Sequence, residues 1–260
     1  NISIRLNFTR VNATRIPAFN TSARITFNNL TSSPTGVYTP LVDPEDDGTY
    51  TVCGSARCFN NLTTLTSISF NISSWTTYVA YPGTPIECGS NISSSLTLGS
   101  LDPITSETCA GFGLNLTGTN MALNCVGYQI TGDGGTANDN ALLVVNQRNV
   151  TVKNCVFVGF GESENYKGSV AVYSTNNSLF TNDTVLTSAN NVDAFVLSAN
   201  SINNTINNTN LSIKGQNAVA LNITEFSSYT KVLNLSIFIS PAALGSKGVD
   251  LFSPPNQNVT

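Results

Sequence analysis

The feature that most limits what this chain can fold into is a phrase that returns six times between about Gly113 and its last residue. A short apolar run, a polar turn, an alternating strand and a loop recur as GLNLTGTNMALNC (113–125), NALLVVNQRNVTVKNC (140–155), SVAVYSTNNSLFTNDTVL (169–186), DAFVLSANSINNTINNTNLSI (193–213), AVALNITEFSSYTKVLNLSIF (218–238) and GVDLFSPPNQNVT (248–260). The copies start at Leu114, Ala141, Val170, Ala194, Val219 and Val249, spaced 27, 29, 24, 25 and 30 residues apart. A period of about 20–30 residues built on short strands marks a solenoid whose coils stack. Apolar residues alternate within the copies, as at Val150, Val152, then Val156 and Val158, or Val232, Leu233, Leu235 and Ile237. Period two is strand, with alternate side chains stacking inward. The recurring Leu-x-x-Leu-x-Leu of leucine-rich repeats is absent, so the expected fold is all-β with a parallel β-helix.

Residues 1–83 lack the repeat and read as a small β-sandwich-like domain. Its strands are expected in ISIRLNF (2–8), SARITFN (22–28), TYTVC (49–53), LTSISFNIS (65–73) and TTYVAY (76–81). The acidic run Asp43-Pro44-Glu45-Asp46-Asp47-Gly48 is a Ca²⁺ candidate by charge, and is read as a turn. Residues 84–260 are expected to form the β-helix, with 84–112 as its capping turn and the last coil incomplete.

Charged residues make up 10% of the chain, against roughly 25% in ordinary globular domains, so something other than ionic side chains must keep the surface wet. Carbohydrate is the candidate. Asn-X-Ser/Thr sequons fall at Asn1, Asn7, Asn12, Asn20, Asn29, Asn61, Asn71, Asn91, Asn115, Asn149, Asn176, Asn182, Asn203, Asn207, Asn210, Asn222, Asn234 and Asn258, where composition alone would give roughly eight. The alternative is that an Asn- and Thr-rich β protein makes sequons as a by-product. The six cysteines allow fifteen pairings; spacing favours Cys53–Cys58 in a hairpin, Cys88–Cys109 around the first turn, and Cys125–Cys155 between neighbouring coils. With no His and no Cys-x-x-Cys, a metal centre lacks its ligands, and no cofactor is expected. Disulfides and sequons together place the chain outside the cell or on its surface. A net charge of −4 with 11 scattered Lys and Arg argues against nucleic acid, and no apolar run is long enough to span a membrane. The chain starts at Asn1 without a leader, which is read as a signal removed or lying outside this sequence.

Asn recurs at one coil corner, at Asn154, Asn182, Asn207/Asn208 and Asn234. Stacked Asn can form an internal ladder, but a glycosylated Asn must face outward; the outward reading is preferred except at Asn154, which is not a sequon.

The phrases CVGYQITGDGG (125–135) and NVTVKNCVFVGF (149–160) resemble the right-handed parallel β-helix repeats of the pectin-lyase-like superfamily. They look most like those of large secreted archaeal surface glycoproteins. SARITFNNL (22–30) and SISFNISSWTTYVA (67–80) are similar to the small β domain that precedes the helix in such proteins. The resemblance implies a right-handed helix and a surface location. It also implies where an enzyme of this kind would differ: polysaccharide-cleaving members carry Asp clusters on adjacent coils with an Arg or Lys base.

The coils here carry few acids: Asp133, Asp139, Glu162, Glu164, Asp183, Asp193, Glu225 and Asp250. Asp193 and Asp250 are read as one column two coils apart. Asp133 and Asp139 share a Gly-rich loop read as a solvated turn rather than a cation site. Arg148 has no acidic neighbour. No catalytic or metal-binding residue is therefore assigned, and the chain is not expected to be an enzyme. An adhesin or carbohydrate binder would display aromatics, for which Tyr173, Phe195, Phe226 and Tyr229 are candidates. The preferred function is a structural subunit of an extracellular filament or surface layer. The unfinished sixth coil is expected to be completed head-to-tail by another copy, with 2–8 as the donor strand.

Overall fold

The computed structural model describes residues 8–9, 22–30, 37–74, 76–134, 139–162 and 165–251. The chain divides into two compact units, Asn1–Ile86 with Leu101–Pro103, and Glu87–Ser100 with Ile104–Thr260.

Among the described residues the first unit holds seven strands: β1 (Phe8–Thr9), β2 (Ala23–Phe27), β3 (Tyr38–Asp43), β4 (Thr51–Val52), β5 (Cys58–Thr64), β6 (Ser67–Ile72) and β7 (Thr77–Pro82). They form two antiparallel sheets, ordered β1-β7-β3-β4 and β2-β6-β5. Alternation drives this: Ile68, Phe70 and Ile72 of β6 are fully buried while Ser67, Ser69 and Asn71 between them are not. One apolar cluster draws Ile25, Phe27, Phe70 and Ile72 from one sheet and Tyr38, Val42 and Tyr78 from the other. Two strands escape the sequence. β3 contains Pro40, which demotes a run as a strand candidate, and β5 is polar, bulged between Phe59 and Leu62, and at a sheet edge.

The acidic run folds as a turn closed by its own side chains. Asp43, 2% exposed, accepts the backbone N–H of Asp47 (3.1 Å) and Gly48 (2.8 Å), and Asp46 accepts the Thr77 hydroxyl at 2.7 Å.

The second unit is a parallel β-solenoid of three sheets. The first sheet stacks β8 (Ser90–Ile92), β11 (Leu114–Leu116), β14 (Leu142–Val145), β17 (Val170–Tyr173), β20 (Phe195–Ser198), β23 (Val219–Ile223) and β26 (Lys247–Leu251). The second stacks β9 (Leu96–Thr97), β12 (Met121–Asn124), β15 (Val150–Lys153), β18 (Leu179–Thr181), β21 (Thr205–Asn207) and β24 (Lys231–Leu233). The third stacks β10 (Thr108–Cys109), β13 (Gln129–Gly132), β16 (Val156–Val158), β19 (Thr184–Thr187), β22 (Asn210–Ile213) and β25 (Ser236–Ile239). The segment expected as a capping turn therefore supplies a complete first coil, β8 to β10, in parallel register with the second.

Inward columns are continuous and apolar. Val152, Phe180 and Ile206 are in register and each 0% exposed, and Phe157, Val185 and Leu211 form a second column. Coils this close leave no room for a side chain at some corners; a Cβ on Gly215 would lie 1.9 Å from the Ala189 carbonyl oxygen. Most non-glycine residues with positive φ among those described are Asn, because the short amide side chain tolerates the left-handed conformation these corners need. The asparagine richness thus has a structural cause independent of any sugar.

Candidate functional site

Five sequon Asn (Asn1, Asn7, Asn12, Asn20 and Asn258) lie outside the described residues. None of the remaining thirteen is buried. Asn29, Asn61, Asn91, Asn149, Asn182, Asn203, Asn210 and Asn234 are exposed, and Asn71, Asn115, Asn176, Asn207 and Asn222 are half-buried. The two Asn that are fully buried among the described residues, Asn140 and Asn204, are not sequons. Asn204 is the interior bracket that the sequence hides: its amide donates to the Thr175 carbonyl at 2.7 Å and accepts the Ser178 N–H at 3.0 Å. Only the absence of Ser or Thr two residues on distinguishes it from its glycosylatable neighbours.

At the corner of Asn154, Asn182 and Asn234 the side chains face outward, and the first two are laddered as well. Asn182 donates to Asn154 at 3.4 Å, and Asn154 to Asn124 at 2.9 Å. The ladder runs on the outside of the coils, so facing solvent and stacking are compatible. Asn222 differs: it donates to the Asp193 carboxylate at 2.8 Å while its own carbonyl oxygen is buried without a partner.

Three disulfides are formed: Cys53–Cys58, Cys88–Cys109 and Cys125–Cys155. The last joins neighbouring coils across a Cα separation of 4.8 Å, the spacing of adjacent parallel strands. Disulfide bonding is consistent with an oxidising, extracellular setting. No helix among the described residues is long and apolar enough to cross a membrane.

The acidic residues are dispersed by the fold into separate roles. Asp133 is exposed, whereas Asp139 is 1% exposed. One Asp139 oxygen accepts the Gly161 N–H at 3.1 Å and the other has no partner; burial, helped by the charge of Asp133, pushes this carboxyl up to about 6. The expectation of a solvated turn thus fails at Asp139, because the next coil stacks over it. Asp183 accepts the Cys155 N–H at 2.9 Å and burial pushes it up to about 7. Asp193, raised chiefly by burial, accepts the Val219 N–H at 2.7 Å. It does not share a strand column with Asp250, which is in register with Asn222 and, through it, Val196. Glu162 pairs with Lys167 at 2.8 Å and Asp250 with Lys247 at 2.7 Å. Glu225 accepts the Ser198 hydroxyl at 2.7 Å, Arg148 is exposed and bridges to Asn176, and Glu164 lies outside the described residues. Among the described residues no group of three or more His, Cys, Asp or Glu is placed to hold a metal ion.

The candidate aromatics separate in the same way. Phe195 is in the core, edge-on to Phe180 with centroids 5.2 Å apart. Tyr173 is half-buried against Tyr166, and its hydroxyl accepts the Lys167 N–H at 2.8 Å. Phe226 and Tyr229 are 58% and 57% exposed.

No family model matches the chain, and neither a curated protein nor a solved structure is significantly similar to it.

Proposed function

We propose that the chain is a structural part of an extracellular, heavily N-glycosylated filament or surface layer, with no catalytic role. The observation that carries this reading is the partition of Asn: every described sequon Asn reaches the surface, and the fully buried Asn lack the sequon. A sparsely charged solenoid needs another source of hydration, and covalent sugar on the exposed ones among these side chains supplies it. In this reading copies assemble head-to-tail by strand addition. Phe8, the end of the expected donor segment, is paired with Val79 of its own chain, so donation of 2–8 requires that pairing to open. Electron microscopy of the native material should show fibres or sheets built from this unit. Dispersed single chains at high concentration would contradict assembly.

A second reading, carbohydrate binding, is favoured by one observation. Phe226 and Tyr229 are exposed and adopt positive φ (65° and 53°), a conformation costly for bulky residues and concentrated at functional positions. Replacing both with Ala is expected to abolish retention on an immobilised polysaccharide panel while leaving thermal stability unchanged or higher. Unchanged retention, or no retention by the parent chain, rules this reading out.

A further inference from the structure

Two coil corners are built from stacked Asn in the left-handed conformation. Asn120, Asn149, Asn177 and Asn203 form one column, with φ of 54°, 53°, 54° and 56°; Asn154, Asn182, Asn208 and Asn234 form the other, with φ of 56°, 56°, 49° and 50°. The backbone fixes the stacking. Asn120, Asn149 and Asn177 donate their N–H to Arg148, Asn176 and Ile202, the residues just before the next corner Asn, and Asn154, Asn182 and Asn208 do the same to Thr181, Asn207 and Leu233.

Whether a corner Asn is a sequon depends on the residue two positions on. These residues also form outward-facing columns in register. One reads Ala122, Thr151, Leu179, Thr205, and the other Val156, Thr184, Asn210, Ser236. A hydroxyl thus occurs on every second coil in both columns. The acceptors Asn149, Asn203, Asn182 and Asn234 are all exposed, with their hydroxyl partners on the same outer face. In the coils between them the corner sequons sit one residue earlier, at Asn176 and Asn207, and are closed, while the exposed sequon Asn210 lies on the strand beyond the second corner. Asn176 and Asn207 are half-buried, and their hydroxyl residues Ser178 and Thr209 are 2% and 0% exposed. Ser178 is engaged as well, accepting the Val150 N–H at 3.0 Å, and the Asn176 carbonyl oxygen accepts the Ile202 N–H at 2.8 Å.

We propose that N-glycans are carried at Asn149 and Asn203 on one corner and at Asn182 and Asn234 on the other, on alternate coils, while Asn176 and Asn207 stay bare. This rests on the glycoprotein reading above and specifies its pattern. Adjacent coils are about 4.8 Å apart and alternate coils about 10 Å; the first spacing is close to the thickness of one sugar ring, the second leaves room for a chain on each acceptor. The intervening Asn has its own task. Asn149 donates through Nδ2 to Asn120 at 3.0 Å, Asn203 to Asn177 at 2.7 Å, and Asn182 to Asn154 at 3.4 Å. Glycan transfer from a glycosyl diphosphate donor forms the bond from Nδ2 to the anomeric carbon and breaks that carbon's bond to the diphosphate oxygen. One amide proton leaves with the diphosphate. The second N–H remains, and its bond to the unmodified Asn of the preceding coil aims the sugar away from the corner.

The test is site-by-site glycopeptide mapping of the native chain and of Leu179→Thr, which creates a sequon at Asn177 between two acceptors. The native chain is expected to carry sugar at Asn149, Asn182, Asn203 and Asn234 and none at Asn176 or Asn207. In Leu179→Thr no single molecule should carry sugar at Asn149, Asn177 and Asn203 together, whereas Asn149→Gln/Leu179→Thr/Asn203→Gln should be modified at Asn177. Ala122→Thr, which creates a sequon at Asn120 beside Asn149, provides the same comparison if the Leu179 variant does not fold. Triple occupancy, or a bare Asn177 once its neighbours are removed, overturns the alternate-coil pattern while sugar at Asn29 and Asn61 keeps the glycoprotein reading. Absence of sugar at every sequon removes both.

Discussion

Phe180→Ala is expected to destabilise the solenoid by ~3–5 kcal/mol, lowering its melting temperature by roughly 10 °C. Phe180 is fully buried at the middle of an inward column, between Val152 and Ile206 of the flanking coils. It also meets Phe195 edge-on at 5.2 Å, joining two of the three sheets across the interior. Removing the ring leaves a cavity that both sheets would have to collapse to fill, and each is pinned by its hydrogen-bond ladder to the coils on either side. The adjacent outward-facing Leu179 is the control: Leu179→Thr should change stability by less than about 1 kcal/mol. Thermal or denaturant unfolding of the two variants checks both. A Phe180→Ala effect as small as that of Leu179→Thr would mean that this column is not the core.

Folding stability is expected to be highest in mild acid and to fall as pH rises towards 7. Asp183 titrates near 7 in the folded chain and Asp139 near 6, both above the ordinary carboxylate value near 3.9. Burial is the leading cause for each, outweighing the N–H groups of Cys155 and Gly161 that favour the charged form. A carboxyl raised on folding binds its proton more tightly in the folded state. Its contribution is therefore fully present below the unfolded value near 3.9 and is lost as pH climbs through the folded value. For Asp183 that window runs from about pH 4 to 7, with a total on the order of 4 kcal/mol, and for Asp139 from about 4 to 6, with on the order of 3 kcal/mol. Urea unfolding at several pH values should show this slope. Asp183→Asn, which keeps an oxygen to accept the Cys155 N–H and preserves the Asn182 sequon, should lose most of the part between pH 6 and 7. A variant with an unchanged slope would show that Asp183 is not its source.

The solenoid is legible in the sequence because its cause is local. Alternating apolar residues and turn corners repeat at a nearly fixed distance, and Cys125 and Cys155 fall at equivalent points of consecutive coils. The first coil is less visible because its strands, Ser90–Ile92, Leu96–Thr97 and Thr108–Cys109, are only two or three residues long and largely polar. What the sequence hides is whatever depends on the coil above or below. Asp139 looks like part of a solvated glycine-rich turn and is buried by the next coil. Asn204 and Asn203 are adjacent and chemically identical, yet one is sealed inside and the other exposed. Phe195 and Phe226 are equally apolar, and only the register of β20 and the corner after β23 puts the first in the core and the second in solvent.

Glycopeptide mapping of the chain from its native source tests the central claim most directly. The account predicts covalent sugar on the exposed sequon residues Asn29, Asn61, Asn91, Asn149, Asn182, Asn203 and Asn234. Unmodified peptides at all of these positions would contradict it.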